Sequence, residues 1–343
     1  MAQNRLKVFL KSPHKKHPLK IIKEVLTLMV VKREIPYYYF KYLYRRDVPN
    51  YLDYMGLKER MTFRFHKSMH NIDYENLIDD KLYFALFSER ANMRTPKLLS
   101  YNFRNSFFYK NKIWKINDLD SVHDFFQNIL AKENIAGVFF RPISDWGGKG
   151  CFRVTKGNSR QVLEENYEKL IKGNFVHNEV LQQHEAINEI HSNSINTLRI
   201  VTLIVDDGSI EIIVAVMRFG IGDNIVDNAS SGGFFVGIDI EKGILNKHGY
   251  YLAKFGGEKI TEHPDSHYEF NGFKVPFYGE VLSLVKETVR LIPNKLIGFD
   301  IAITPSGPVI IEANATPAMD ISDVAHGGLL KNKHVKKVLK DLM

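Results

Sequence analysis

The 343-residue chain has a single cysteine, Cys151. That count excludes an internal disulfide, a disulfide scaffold and a zinc site built from cysteines alone, and a reducing, cytoplasmic setting is expected from it. Long apolar runs are missing too. The first one, Val25 to Val31, is too short for a secretory signal and has no small-residue cleavage site beside it. Nothing approaches the roughly 20 apolar residues of a membrane span. Internal repeats and low-complexity tracts are absent. No Ser-His or Cys-His arrangement stands out, so the sequence does not call for a side-chain nucleophile. His184, His191 and His263 show no pairing at zinc-ligand spacing and read as structural or surface residues.

What is present describes an ordinary globular protein, 44% hydrophobic and 25% charged, long enough for two or three subdomains. Its net charge of +8 is uneven: residues 1–70 hold 16 Lys/Arg against 5 Asp/Glu, and the rest sums to −3. The basic segment also carries an aromatic cluster from Pro36 to Tyr44. It reads as a solvated basic helical face packed through its tyrosines, as a docking surface for an anionic membrane, or as a positive wall for a phosphate-bearing substrate. Nucleic acid ranks last, because no RNA-binding aromatic motif or helix-turn-helix pattern accompanies the charge.

Residues 1–72 look helical, with Leu19, Ile22, Val25, Leu26 and Met29 at helical spacing. A helix is expected from Tyr74 to Asn92, ending before Thr95-Pro96. Short strands follow at Leu98–Tyr101, Phe107–Tyr109 and Lys112–Lys115, then a helix from Ser121 capped by Asp118 or Asp120. Val138–Arg141 and Cys151–Val154 read as strands. Asn158 reads as a helix cap with Gln161 at capping-box spacing, and Phe175–Leu181 as a strand. Strands dominate afterwards, at Thr197–Val205, Ile210–Phe219 and Phe234–Ile240, with a helix from Gly279 to Leu291. The fold class is α+β, with a basic segment (1–72), a small α/β lobe (73–176) and a larger antiparallel lobe (177–343).

The stretch from Gly298 to Met319 is the most informative. It reads as two strands joined by a turn at Pro305 to Gly307, which sets Asp300 opposite the region of Glu312 to Asn314. Glu312 and Asn314 share a strand face. Three oxygen-bearing side chains suit a hard cation such as Mg²⁺. The loop Trp146-Gly147-Gly148-Lys149-Gly150 lies between two strands, unlike a Walker loop or a Rossmann turn. It suits either a glycine-rich hairpin turn or a lid over a triphosphate. Arg141 before it and Lys81 in the early helix are candidate phosphate cations. Arg218, at a strand end, is a candidate contact for an anionic substrate, and the segment from Ser230 to Gly233 reads as a second glycine-rich turn.

Asp80-Lys81, the Val138 to Pro142 strand with its glycine loop, Asn178 to Leu181, and Asp300 followed by Glu312 and Asn314 occur in the order seen in ATP-grasp enzymes. The chain most resembles the sugar-transfer-associated ATP-grasp group of capsule and exopolysaccharide gene clusters, over residues 75 to 325. Segments Ser194–Thr202, Val226–Asn228, Ser231–Gly233 and His263–Asp265 fit that group as well. The resemblance implies the ATP-grasp fold, two lobes clamping ATP. It makes Lys81 and Arg141 phosphate contacts, Trp146 to Gly150 the mobile loop over ATP, and Glu179, Val180 and Leu181 the adenine-holding linker. It makes Asp300, Glu312 and Asn314 the ligands of Mg²⁺, with Arg199 steadying the γ-phosphate or an acyl phosphate. The family usually carries Lys where Arg141 stands. The peptidoglycan-precursor ligases of the superfamily have Arg two residues before the metal Asp, where this chain has Gly298. The implied activity is ATP-dependent ligation of a carboxylate to an amine, on an amino acid or a sugar-linked substrate. Rival readings are a kinase-like phosphotransferase on the same fold and a non-catalytic nucleotide-binding partner of a polysaccharide assembly. A cytoplasmic location is expected, with residues 1–70 as a possible contact to the inner membrane face.

Overall fold

A computed structural model describes residues 5–144, 148–224, 227, 229 and 232–343. The basic segment forms α1 (Arg5–Lys11), α2 (Pro18–Lys32) and α3 (Leu57–Phe65). Next come α4 (Ile72–Asp79) and α5 (Lys81–Arg90). The single helix expected from Tyr74 to Asn92 is therefore two. Asp80 takes an extended backbone (φ −86°, ψ 115°), and its carboxylate accepts the N–H groups of Leu82 and Tyr83, which starts α5 afresh.

The chain divides into two units: Glu75–Gln182 with Val309–Ala313, and the remainder, Met1–Tyr74, Gln183–Pro308 and Asn314–Met343. The smaller unit holds β1 (Leu98–Phe103), β2 (Ser106–Tyr109), β3 (Lys112–Lys115), α6 (Leu119–Lys132), β4 (Gly137–Pro142), β5 (Phe152–Thr155), α7 (Ser159–Lys172) and β6 (Asn174–Glu179). Its strands form an antiparallel sheet in the order β3-β2-β1-β6-β4-β5. The α6 helix starts where Asp118 accepts the Ser121 N–H. It buries Val122, Phe125, Phe126, Ile129 and Leu130, an i, i+3, i+4, i+7, i+8 stripe, in one core with Phe107, Phe140, Phe152 and Phe175. Asn158 does not cap α7 through its side chain. Its Oδ1 accepts the Thr155 N–H and hydroxyl instead, closing the turn after β5, and Gln161 donates to Glu165 rather than back to the cap.

The larger unit contains α8 (Glu185–Asn188), β7 (Leu198–Ile204), β8 (Ile210–Phe219), β9 (Phe234–Asp239), β10 (Ile244–Tyr251), β11 (Lys259–Ile260), α9 (Tyr278–Leu291), β12 (Leu296–Thr304), β13 (Gly307–Asn314), α10 (Asp320–Ala325) and α11 (Lys333–Leu342). Its sheet runs β11-β10-β9-β8-β7-β12-β13. Every residue of β12 is buried, so this strand is a core element with both faces covered. The residues of β13 fall in both units, Val309–Ala313 with the smaller and Asn314 with the larger.

Residues 1–74 belong to the larger unit. Tyr42, Met55, Phe63 and Met69 share one core with Val201, Leu203, Phe235 and Leu339, and the Tyr42 hydroxyl donates to the Tyr251 carbonyl at 2.7 Å. No helix among the described residues is long and apolar enough to cross a membrane.

Asp323 fixes this junction. Its carboxylate oxygens accept the N–H groups of Met55 (2.9 Å) and Leu329 (2.8 Å). Burial outweighs those donors and lifts the carboxyl to about 7. Because the folded value lies above the ordinary 3.8, the stability this neutral acid contributes is complete below 3.8 and is lost as pH rises through about 7. Urea midpoints of the parent chain should therefore fall over that range through this group, and Asp323→Asn should flatten the fall. An unchanged pH slope in the variant would refute the assignment.

Candidate functional site

In the smaller unit, two cations and an acid converge. Lys81 opens α5 beside the capping Asp80, and its Nζ lies 3.9 Å from Glu312 Oε1. Arg141, on β4, is buried. Its Nη2 and Nε donate to Asn178 Oδ1 at 2.9 and 3.2 Å, and Nη1 donates to the Ile311 carbonyl at 2.8 Å. Burial pulls its pKa down while the Glu312 charge opposes the shift, and a guanidinium stays charged regardless. Lys81, Thr95, Arg141, Asn178 and Glu312 line one pocket.

Glu179 ends β6, and one carboxylate oxygen accepts the Lys97 N–H at 3.0 Å while its own N–H donates to the Lys97 carbonyl. Val180 donates to the Gly137 carbonyl, and Leu181 is half-buried. In the glycine loop, Gly148 (φ 70°) and Gly150 (φ 82°) occupy the left-handed region that favours glycine. Lys149 is exposed. Trp146 and Gly147 lie outside the described residues, as do Val226, Asn228, Ser230 and Ser231.

The larger unit builds a second charged cluster on its central strands. Asp300 on β12 lies directly opposite Arg199 on β7. Arg199 grips it two-pronged, Nε to Oδ1 and Nη2 to Oδ2 at 3.0 Å. Arg218, from the end of β8, reaches the same Oδ2 at 2.9 Å. Its Nε also donates to Thr197 Oγ1 at 3.1 Å and lies 3.5 Å from Asp227 Oδ2. Asp227 accepts both the N–H and the hydroxyl of Thr197. Burial alone would raise the Asp300 carboxyl, but Arg199 and Arg218 outweigh it and hold it below the ordinary carboxylate value. Burial wins at Asp227, which is raised despite Arg218 and Thr197. Asn314, at the end of β13, is buried, and its Nδ2 has no hydrogen-bond partner among the described residues.

Sequence spacing missed the grouping of Arg218 with Asp300 and Asp227, and a second one as well. His191 and His263 stack at 4.9 Å, and Asp265 Oδ2 lies 3.7 Å from His191 Nδ1. His263 Nδ1 accepts the Asp265 N–H and its Nε2 faces the Gly220 carbonyl at 3.1 Å, while Asp265 accepts the Gly222 N–H. Burial lowers the pKa of both histidines below the ordinary imidazole value. The trio pins the segment that follows β8, in keeping with a structural role.

A family model described as sugar-transfer associated ATP-grasp matches residues 60–339. The chain belongs to that family. No curated protein matches it. Among solved structures it is similar to D-alanyl-alanine synthetase A from Vibrio cholerae O1 biovar eltor, at 12% identity over 80% of this chain and 66% of that one, with a TM-score of 0.47. It is also similar to phosphoribosylamine–glycine ligase from Thermotoga maritima, at 12% identity, 82% and 59% coverage and a TM-score of 0.47. A third is the ATP-grasp ligase PsnB complexed with minimal precursor, Mg and ADP, at 12% identity, 80% and 60% coverage and a TM-score of 0.42. The chain spans 59 to 66% of the length of these three proteins.

Two family features take a local form here. A Cβ added to Gly298 would sit 2.5 Å from Pro317 Cβ, so the superfamily's arginine has no room at this position. For Mg²⁺, Glu312 and Asn314 offer hard oxygen atoms on one face of β13. Asp300 is shared with two guanidinium groups, but a carboxylate has about four lone-pair sites and can bind a cation on top of them.

Arg218→Met should destabilise the folded protein by about 3 kcal/mol, because it leaves Asp227 buried without a cation. Chemical denaturation of variant and parent measures this. A loss well below 1 kcal/mol would show the cluster to be unimportant for folding.

Proposed function

We propose that the chain is an ATP-dependent carboxylate–amine ligase that works through an acyl phosphate. The convergence of Lys81 and Arg141 on Glu312 in one pocket supports this most, together with family membership. Lys81 and the two guanidinium hydrogens of Arg141 not used on Asn178 and Ile311 contact the phosphates of ATP. Gly148 to Gly150, with Trp146 and Gly147, cover them with backbone N–H groups. Glu179, Val180 and Leu181 hold the adenine. The candidate Mg²⁺ ligands are Glu312 in the smaller unit and Asp300 and Asn314 in the larger one; the ion, when bound, would neutralise phosphate charge and align the transferring group.

The substrate carboxylate oxygen attacks the γ-phosphorus and the bond to the ADP oxygen breaks. The amine then attacks the acyl carbon, phosphate leaves, and the surplus amine proton goes to solvent. Arg199 balances negative charge on the acyl phosphate. Asp300, itself met by Arg218, keeps the Arg199 guanidinium oriented, so that little reorganisation accompanies the reaction. The family context supports an amino acid or sugar-linked carboxylate and a role in cell-surface polysaccharide synthesis. A kinase-like phosphotransferase is the second reading, since the same cations would serve transfer to a hydroxyl.

Glu312→Gln keeps shape and removes charge. It should cut Mg²⁺-dependent ATP turnover by about 100-fold or more with an unchanged thermal melt. Turnover equal to the parent's would overturn the metal assignment. A screen of carboxylates and amines for phosphate release, read by product mass, separates the two activities: an amide supports ligation, and a phosphorylated product with ADP supports phosphotransfer.

A further inference from the structure

The α2 helix is built inside out. Its inward face buries Glu24, Leu28 and Lys32. Glu24 accepts from Lys16 Nζ at 2.6 Å and from the Tyr39 hydroxyl at 2.7 Å, and Lys32 donates to both Glu59 oxygens at 2.8 Å. Its outward face is aliphatic. Leu19 is 71% exposed, Ile22 56%, Leu26 56% and Val30 77%, with Met29 beside them. Spaced i, i+3, i+7 and i+11, these side chains form one stripe along the whole helix. Scattered exposed apolar residues need no explanation, but a contiguous stripe of this length marks an interaction surface.

Charge selects the partner. The exposed charged residues of α2 are Lys20 and Lys23, and its one acid, Glu24, is buried. The first 23 residues contain seven Lys/Arg and no Asp or Glu. A second copy meeting this face would set like charge against like. An anionic surface with an apolar interior matches both features at once: lysines at the headgroups, aliphatic side chains below them.

We propose that α2 is an interfacial membrane-binding helix, lying in the plane of an anionic bilayer with Leu19, Ile22, Leu26, Met29 and Val30 inserted and Lys20 and Lys23 at the headgroups. This surface is independent of the ligase reading and places the protein at a membrane face.

The test is flotation of the full-length protein with vesicles of phosphatidylcholine alone or mixed with phosphatidylglycerol. The protein should float with the anionic vesicles and much less with the neutral ones. Ile22→Glu combined with Leu26→Glu should weaken that binding by roughly tenfold or more while leaving the thermal melt and ATP turnover as they are, because both positions face solvent. Lys20→Glu with Lys23→Glu should reduce binding to the anionic vesicles alone. Absence of binding to either vesicle overturns the proposal. So does anionic binding that the Ile22/Leu26 variant retains, which would locate attachment elsewhere in the basic segment. A stable homo-oligomer or a stoichiometric protein complex that the same variant dissolves would equally overturn it.

Discussion

One buried carboxylate organises the larger sheet. Asp300 is held below its ordinary pKa only because Arg199 and Arg218 stand against it, and Arg218 in turn faces Asp227. Burying any one of these charges alone would cost several kcal/mol. They are tolerable together because β7, β8 and β12 each deliver one member in fixed register, Asp300 opposite Arg199 and the Arg218 N–H on the Thr197 carbonyl. A slip of one residue on any strand would turn its charged side chain to the other face and leave the others unpaired. Register and site are thus one constraint, which accounts for polar side chains inside a strand whose every residue is buried.

The local grammar of the chain was readable where a signal lay within a few residues. The β12–β13 hairpin follows from two apolar runs and a Pro-Ser-Gly turn, and the α6 cap follows from Asp118 ahead of an apolar stripe. Local signals misled where two of them competed. Asp80 is compatible with a continuous helix by periodicity, yet a side chain that satisfies two orphan N–H groups starts a new one. Asn158 stands at capping spacing but finds better partners behind it in Thr155. Groupings that depend on residues far apart in sequence, Arg218 with Asp300 or His191 with His263, leave no trace in spacing. Their residue types were visible; their proximity was not.

The N-terminal segment shows how a correct period can carry the wrong face. Leu19, Ile22, Leu26 and Met29 fall at helical spacing, and the ordinary inference turns such a stripe inward. Here the tyrosines take the interior. Tyr38, Tyr39, Tyr44 and Tyr54 form a core with Leu28, and rings with hydroxyl tips demand polar partners when buried. Glu24 meets that demand at Tyr39, and Lys16 neutralises Glu24 while also donating to the Leu43 carbonyl. Once the inward face holds the Lys16, Glu24 and Tyr39 network, the aliphatic stripe has only the outside left.

The same logic explains why arginine stands at 141. A lysine there would offer three donors from a single atom in place of the flat fork that meets Asn178 on β6 through two nitrogens and the Ile311 carbonyl on β13 through a third. The planar fork reaches both, tying two strands of the smaller unit, and still leaves one hydrogen on each terminal nitrogen. Its charge is held in place by backbone and amide acceptors that carry no charge of their own. An anion arriving in that pocket therefore meets a full positive charge, offset chiefly by Glu312. Exchange to lysine would keep the charge and lose its orientation, so the residue serves the pocket by being part of the frame.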